Sequence, residues 1–334
     1  MKRFFIVNIL ITLFLFSYGQ QKKANWDNTD DGVWEKEFSV VDIPSSADGK
    51  IQKAYFYKSK QTTPQPLIVS LHTWSGNYKQ EDALCKEILR CDYNFIHPDF
   101  RGPNNTPEAC GSNLVISDIE DAIRYAVANG NVNPDEVHVI GASGGGYATL
   151  LAYMNITYPV KSFSAWVPIS NLEDWYWESV GRNQRYAKHI MLATQSADSL
   201  NVAEARKRSP FYQVYKEDLR KNAHLTIYTG IHDGYKGSVP ITQSINMYNK
   251  LVRESLPVGD WNLVPQEDII SLVIKRCIPV SSAPKTKIGN RVIHYMKQTP
   301  KISLIVFEGG HEQIVEKAIP LAIEGIENNI SFGE

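Results

Sequence analysis

The chain reads as an α/β protein built on a mostly parallel eight-stranded sheet with helices on both faces. Three observations predict this. Short, mainly apolar runs recur from Leu67 onward between segments of helical character, as strands buried on both faces of a parallel sheet require. Two runs of strand character, joined by a turn-rich stretch, come before them. The segment Val137-His138-Val139-Ile140 passes through Gly141-Ala142-Ser143-Gly144-Gly145-Gly146 straight into Tyr147-Ala148-Thr149-Leu150, a strand, a tight glycine turn and a helix.

The leading runs, 34–41 and 51–57, flank Pro44-Ser45-Ser46-Ala47-Asp48-Gly49 and form an expected antiparallel hairpin. Six parallel strands follow at 67–71, 94–97, 137–140, 163–167, 225–228 and 302–307. Helices are expected around 80–90, 114–128, 145–154, 241–253 and 311–326. In the second of these, Ile116, Ile119, Ala122, Ile123, Ala126 and Val127 recur at helical spacing. Two stretches break the alternation. Residues 171–223, long, aromatic and charged, suit a helical lid over the catalytic edge of the sheet. Residues 256–300 form a second insertion, with a helix at 266–276 and an extended piece at 291–296. Neither is apolar enough to fold alone, so 34–334 is expected to be one catalytic domain.

At 334 residues and 43% hydrophobic content the chain has ample material for a core. A net charge of -1 and the lack of a basic run interleaved with aromatics argue against a nucleic-acid partner. Met1-Lys2-Arg3, the apolar run 4–16 and the small residues Ser17 and Gly19 read as a signal peptide over 1–19, followed by a polar linker over 20–33. The run is short for a membrane span and no cysteine stands at the cleavage point. A secreted or periplasmic protein with no stable membrane anchor is expected. Cys85, Cys91, Cys110 and Cys277 permit two disulfides in any of three pairings, with Cys85 and Cys91 placed to staple a helix end to the next strand. Their spacing is not that of a zinc site.

The glycine turn would hold Ser143 in a strained conformation at a helix N-terminus, where N–H groups and the helix dipole favour developing negative charge. A serine hydroxyl needs a base, and the base needs an acid, in the chain order Ser, acid, His. His311 follows the last expected strand through Glu308-Gly309-Gly310. Asp233 closes the seventh strand after Thr229-Gly230-Ile231-His232, with Val239-Pro240 opening the next helix. Asp260, deep in an insertion, and Glu308, too near His311 in sequence, are the weaker candidates. Two backbone donors complete the arrangement: Gly144 after the nucleophile, and Thr73 or Trp74 in the loop His72-Thr73-Trp74-Ser75-Gly76, with His72 shaping that loop. No metal or organic cofactor is implied.

These residues, from about Trp34 onward, resemble the α/β-hydrolase superfamily. The segment from Gly230-Ile231-His232-Asp233 to Val239-Pro240 looks like the acid loop of prolyl-oligopeptidase-type catalytic domains, here with extra residues Gly234 to Ser238 between its two parts. Leu71-His72-Thr73-Trp74-Ser75-Gly76, His97-Pro98-Asp99-Phe100-Arg101-Gly102-Pro103-Asn104-Asn105 and Ser164-Ala165-Trp166-Val167-Pro168-Ile169-Ser170 are also similar to exported prolyl-oligopeptidase-like bacterial hydrolases. Some relatives of that kind are carbohydrate esterases, pectin methylesterases among them.

The resemblance implies a serine hydrolase. About fifteen residues separate the signal peptide from the first strand, too few for the β-propeller that filters peptides in prolyl oligopeptidases, and an ester is the easier substrate for the same triad. The expectation is therefore a carbohydrate esterase acting on acyl or methyl esters of polysaccharides or small molecules. A peptidase and a non-catalytic binding protein are the alternatives. Among Trp74, Trp166, Trp175, Tyr176 and Trp177, the side chains of Trp175 and Trp177 are the expected sugar platforms, and Arg101, with Arg182 or Arg185, the expected partners for a uronic-acid carboxylate.

Overall fold

The computed structural model describes residues 28–29, 31–279 and 286–332; the expected signal peptide lies outside them. Strands β1 (Ser39–Pro44) and β2 (Ile51–Tyr57) pair antiparallel, and β2 pairs antiparallel with β4 (Asn94–Pro98). From β4 the sheet continues in parallel through β3 (Gln65–Leu71), β5 (Val132–Ala142), β6 (Ser162–Trp166), β7 (His224–Gly230) and β10 (Ile302–Phe307). These are the two antiparallel and six parallel strands that the sequence predicts. The first strand begins later than expected, because Trp34 lies outside it and stacks its ring on Tyr55 at 4.0 Å.

Among the described residues three further antiparallel strands bring the sheet to eleven: β9 (Arg291–Gln298) beside β10, then β8 (Thr286–Ile288), then β11 (Ile330–Phe332). β9 contains the extended piece expected in the second insertion. The other two are three residues long, too short to carry a period-two signal.

Alternate residues of the strands feed two cores, the expected result of burying both faces. Leu67, Val69 and Leu71 of β3 join Val137 and Val139 under α2 (Asn113–Asn129), α3 (Gly144–Asn155) and α7 (Ile241–Ser255). Ile68, Ile140, Trp166, Tyr228 and Ile305 face α1 (Cys85–Cys91) and α9 (Val315–Glu324). The Ser112 side chain caps α2 by accepting from the Val115 N–H. All four cysteines are free. Cys85 and Cys91 bound α1, and six residues of helical rise, about 9 Å, hold them too far apart for the staple expected of them.

Helices α4 (Leu172–Gly181), α5 (Tyr186–Ala193) and α6 (Val202–Lys207) fill the insertion between β6 and β7. Their apolar faces form a third cluster in which Leu172, Trp175, Ile190, Ala193 and Ala205 pack with Trp74, Tyr147 and Leu151. In the second insertion α8 (Gln266–Ile270) runs into a π-helical turn, Ser271–Lys275. Among the described residues no helix is long and apolar enough to cross a membrane.

Two polar contacts anchor this framework. Arg220, 1% exposed, donates to the carbonyls of Ala152, Tyr153 and Ile156 at the C-terminal end of α3, where Ala152 O also accepts from the Ile156 N–H. Glu178 of α4 accepts from Gln243 Nε2 at 3.3 Å, and burial raises its carboxyl from the ordinary 4.5 to about 7.

Two outcomes are expected. Arg220→Ala removes the donor to the carbonyls of Tyr153 and Ile156 and lowers unfolding free energy by about 2–4 kcal/mol in denaturant titration. Glu178 titrates near 4.5 when unfolded and near 7 when folded, so the folded state holds the extra proton between them and stability falls as pH rises through that window. Glu178→Gln is expected to remove that fall, by at most about 1.4 kcal/mol per pH unit, in melting curves taken from pH 4.5 to 8.

Candidate active site

At the junction of β5 and α3 the backbone of Ser143 takes φ 57 and ψ -116, a region that non-glycine residues rarely occupy. Its N–H donates to Trp166 O at 2.9 Å, and its side chain stands at the N-terminus of α3. A Cβ built on Gly144 would lie 2.2 Å from Trp74 N, so only glycine lets the loop after β3 come this close.

His311 reaches Ser143 from the loop after β10. Its Nε2 lies 2.9 Å from Ser143 Oγ and its Nδ1 2.7 Å from Asp233 Oδ2. The other carboxylate oxygen of Asp233 accepts from the N–H groups of Gly234 at 2.8 Å and Val239 at 3.1 Å. The Asp233 side chain is wholly buried and that of His311 is 9% exposed. The acid and base loops are tied directly, through Ile231 N to Phe307 O and His232 N to Gly309 O. The three residues named from the sequence are thus brought together, as an acid–base–hydroxyl chain in which the imidazole can take the serine proton.

Of the two expected donors in the loop after β3, the structure separates one from the other. Thr73 N–H and Oγ1–H both donate to Gln80 Oε1, which occupies the Thr73 amide. Trp74 N–H has no hydrogen-bond partner among the described residues and lies beside Gly144, whose own N–H is one of the unpaired donors of the first turn of α3. His72 stacks on Phe100 at 3.8 Å with its ring nitrogens 2.9 Å from Thr73 O and Asp99 O. Burial pushes its imidazole down to about 4, so near pH 7 it is neutral and donates to one carbonyl only.

The weaker acid candidates are elsewhere. Asp260 sits in an exposed turn, and the Glu308 carboxylate binds His232 Nε2 at 3.0 Å and His294 Nε2 at 2.6 Å.

The expected substrate contacts do not hold their places. Arg101 is committed to Asp118 and Asp48, in contacts of 2.7–3.0 Å that tie α2 and the β1–β2 turn together, and these carboxylates leave its fork no free edge for a substrate. Trp175 is 1% exposed, edge-on to Trp74 at 4.7 Å, and donates from Nε1 to Ser238 O at 2.9 Å. Trp177 is 59% exposed, but two residues along the same helix it points away from the buried face of Trp175. Arg182 is spent on backbone carbonyls after Asp233, while Arg185 is exposed beside Ser75 Oγ at 3.4 Å. Gln80, Arg182 in its observed place, and His189, which accepts from Trp74 Nε1 at 3.3 Å, have no local sequence signal. Among the described residues no group of three or more His, Cys, Asp or Glu side chains is arranged to hold a metal ion.

Comparison with known proteins agrees with this geometry. The profile of the prolyl oligopeptidase family matches residues 109–268, a stretch that includes Ser143 and Asp233. Dipeptidyl aminopeptidase BIII of Pseudoxanthomonas mexicana is 26% identical over 140 residues, 39% of this chain and 19% of that protein. Among solved structures, a puromycin-hydrolyzing peptidase of Mycobacterium tuberculosis is similar with a TM-score of 0.53 at 16% identity, over 66% of this chain and 35% of that one. Acylaminoacyl peptidase of Pyrococcus horikoshii gives 0.52 at 18%, over 65% and 35%, and oligopeptidase B of Leishmania major 0.54 at 14%, over 86% and 36%. The chain therefore spans no more than 36% of the length of these relatives. At such identities the structural likeness establishes the fold, and the profile match covers the segment that bears Ser143 and Asp233. The chain has the fold of the α/β-hydrolases, is similar over residues 109–268 to the prolyl oligopeptidase family, and holds a serine, a histidine and an aspartate in mutual contact.

Proposed function

We propose that this protein is a serine peptidase of the prolyl-oligopeptidase kind, cleaving amide bonds through an acyl-enzyme on Ser143. The observation that carries the reading is the unbroken chain from Ser143 Oγ through His311 to the buried carboxylate of Asp233. In this reading His311 takes the proton of Ser143 as the hydroxyl attacks the carbonyl carbon. The N–H groups of Gly144 and Trp74 receive the negative charge on the substrate oxygen. The imidazolium, held by Asp233, then protonates the leaving amine, and a water molecule repeats the sequence to release the acid. Amide cleavage depends on that protonation more than ester cleavage does, and the shielded, doubly donated Asp233 is suited to stabilise the imidazolium that performs it.

The polysaccharide-ester reading rested on the easier leaving group of an ester, with tryptophan and arginine side chains as the expected sugar contacts. Of those contacts Trp175 is buried and Arg101 and Arg182 are paired, which leaves Trp177 and Arg185 exposed. The relatives, named as a dipeptidyl aminopeptidase, an acylaminoacyl peptidase and a puromycin-hydrolyzing peptidase, support amide chemistry instead. We read residues 1–19 as an export signal, which puts this activity outside the cytoplasm; a mature N-terminus still beginning at Met1 would refute that.

Peptidyl p-nitroanilides assayed beside acetylated and methyl-esterified polysaccharides test the substrate class. Turnover of the anilides is expected, and turnover of the polysaccharides alone would return the reading to an esterase. Ser143→Ala is expected to fold normally and lose roughly 10,000-fold or more in kcat, with no labelling by a fluorophosphonate. Activity of the wild-type protein is expected to fall on acidification, as protonated His311 can no longer accept the serine proton. A flat pH–rate profile would remove His311 from the mechanism.

A further inference from the structure

Arg182 follows α4 directly, and its guanidinium is directed entirely at backbone. Nε donates to Glu178 O at 3.2 Å, Nη1 to Gly234 O at 3.1 Å and to Gly237 O at 2.8 Å, and Nη2 to Ser238 O at 2.9 Å. The last three carbonyls belong to the residues that follow Asp233. This stretch, Gly234 to Ser238, is the extra length that separates the acid from Val239-Pro240. It holds two glycines, exposes Tyr235 and Lys236, and is braced internally by the bonds of the Tyr235 and Lys236 amides to His232 O. Such a segment needs fastening from outside if the carboxylate beside it is to stay in place.

The fastening reaches the acid through one peptide unit. Ser238 C=O and Val239 N–H are the two ends of a single planar trans amide. Holding the oxygen with Arg182 Nη2 and Trp175 Nε1 therefore aims the N–H at Asp233 Oδ1, 3.1 Å away. Charge-assisted donation at the oxygen also polarises the amide and strengthens its own donation. Oδ1 is thereby pinned, and Oδ2 is left for His311 Nδ1. Gly237 presses on the same pair, for a Cβ there would lie 2.2 Å from Asp233 Oδ1 and 2.6 Å from His311 Cβ.

We propose that Arg182 is a positioning residue for Asp233, fixing the acid loop so that the carboxylate meets the imidazole in its working orientation. The inference rests on the serine-hydrolase reading above and adds that the helical insertion, through Arg182 with Trp175 beside it, sets the geometry of the triad.

The test is the rate of fluorophosphonate labelling of Ser143 in the full chain, with melting temperature recorded for every variant. Arg182→Met keeps the apolar stem and removes the fork. It is expected to label roughly 10- to 100-fold more slowly, with Arg182→Lys between it and the wild type. Guanidinium at millimolar concentration is expected to speed the Met variant and leave the wild type unchanged. Labelling of the Met variant at the wild-type rate, or slowing that guanidinium does not relieve, overturns the role of Arg182 while leaving Ser143 as nucleophile. If the Met variant does not fold, Arg182→Lys and Trp175→Phe, which thin the donors to the loop without emptying the space, carry the comparison. Slower labelling in both supports the inference, and wild-type rates in both overturn it. A wild-type protein that does not label overturns the serine-hydrolase reading itself, and this inference falls with it.

Discussion

The arrangement depends on how closely backbones approach at the turn between β5 and α3. Three successive glycines face three different parts of the molecule: Gly144 the Trp74 amide, Gly145 the Leu71 carbonyl at the end of β3, and Gly146 the Trp166 carbonyl at the end of β6. A Cβ at any of them would fall 2.1–2.6 Å from those atoms. The run is a set of separate clearances, and together they let the ends of neighbouring strands crowd around one residue. The unfavourable backbone angles of Ser143 are held by this crowding and by the hydrogen bond its N–H donates to Trp166 O.

Around that turn, arginines carry much of the load that regular structure cannot. Long connections leave carbonyls unpaired, and a five-donor planar fork can satisfy several at once. Arg220 closes the C-terminus of α3, Arg208 holds the carbonyls of Pro107 and Cys110, and Arg291 takes Glu308 O next to the base loop. The two ends of α3 are thus treated oppositely. One is left with open donors beside the serine hydroxyl, and the other is covered by a buried cation, in keeping with the direction of the helix dipole.

The six parallel strands were legible because each is a short apolar run between turn signals, and the three chemical residues because each sits at a strand end marked by glycine. What was not legible is where long side chains go. Arg101 looks open to a ligand until Asp48 and Asp118 are folded onto it, and Trp175 looks like a platform until Trp74 and Ser238 arrive from 101 and 63 residues away. Local pattern reports whether a side chain is apolar, charged or flat, and carries no record of partners brought by tertiary packing. The choice between Thr73 and Trp74 stays open in the sequence for the same reason, since it turns on Gln80 accepting one amide. The short strands β8 and β11 exist only as additions to an edge already formed.

The separation between Ser143 and His311, 168 residues along the chain, gives the site a high contact order. The imidazole cannot arrive until β10 has docked beside β7, and that strand is synthesised after the serine and the whole stretch between them. A nascent or partly folded polypeptide therefore carries a serine with no base to activate it. Activation of the serine hydroxyl waits on the pairing of β10 with β7, and before that pairing forms the side chain is an ordinary alcohol.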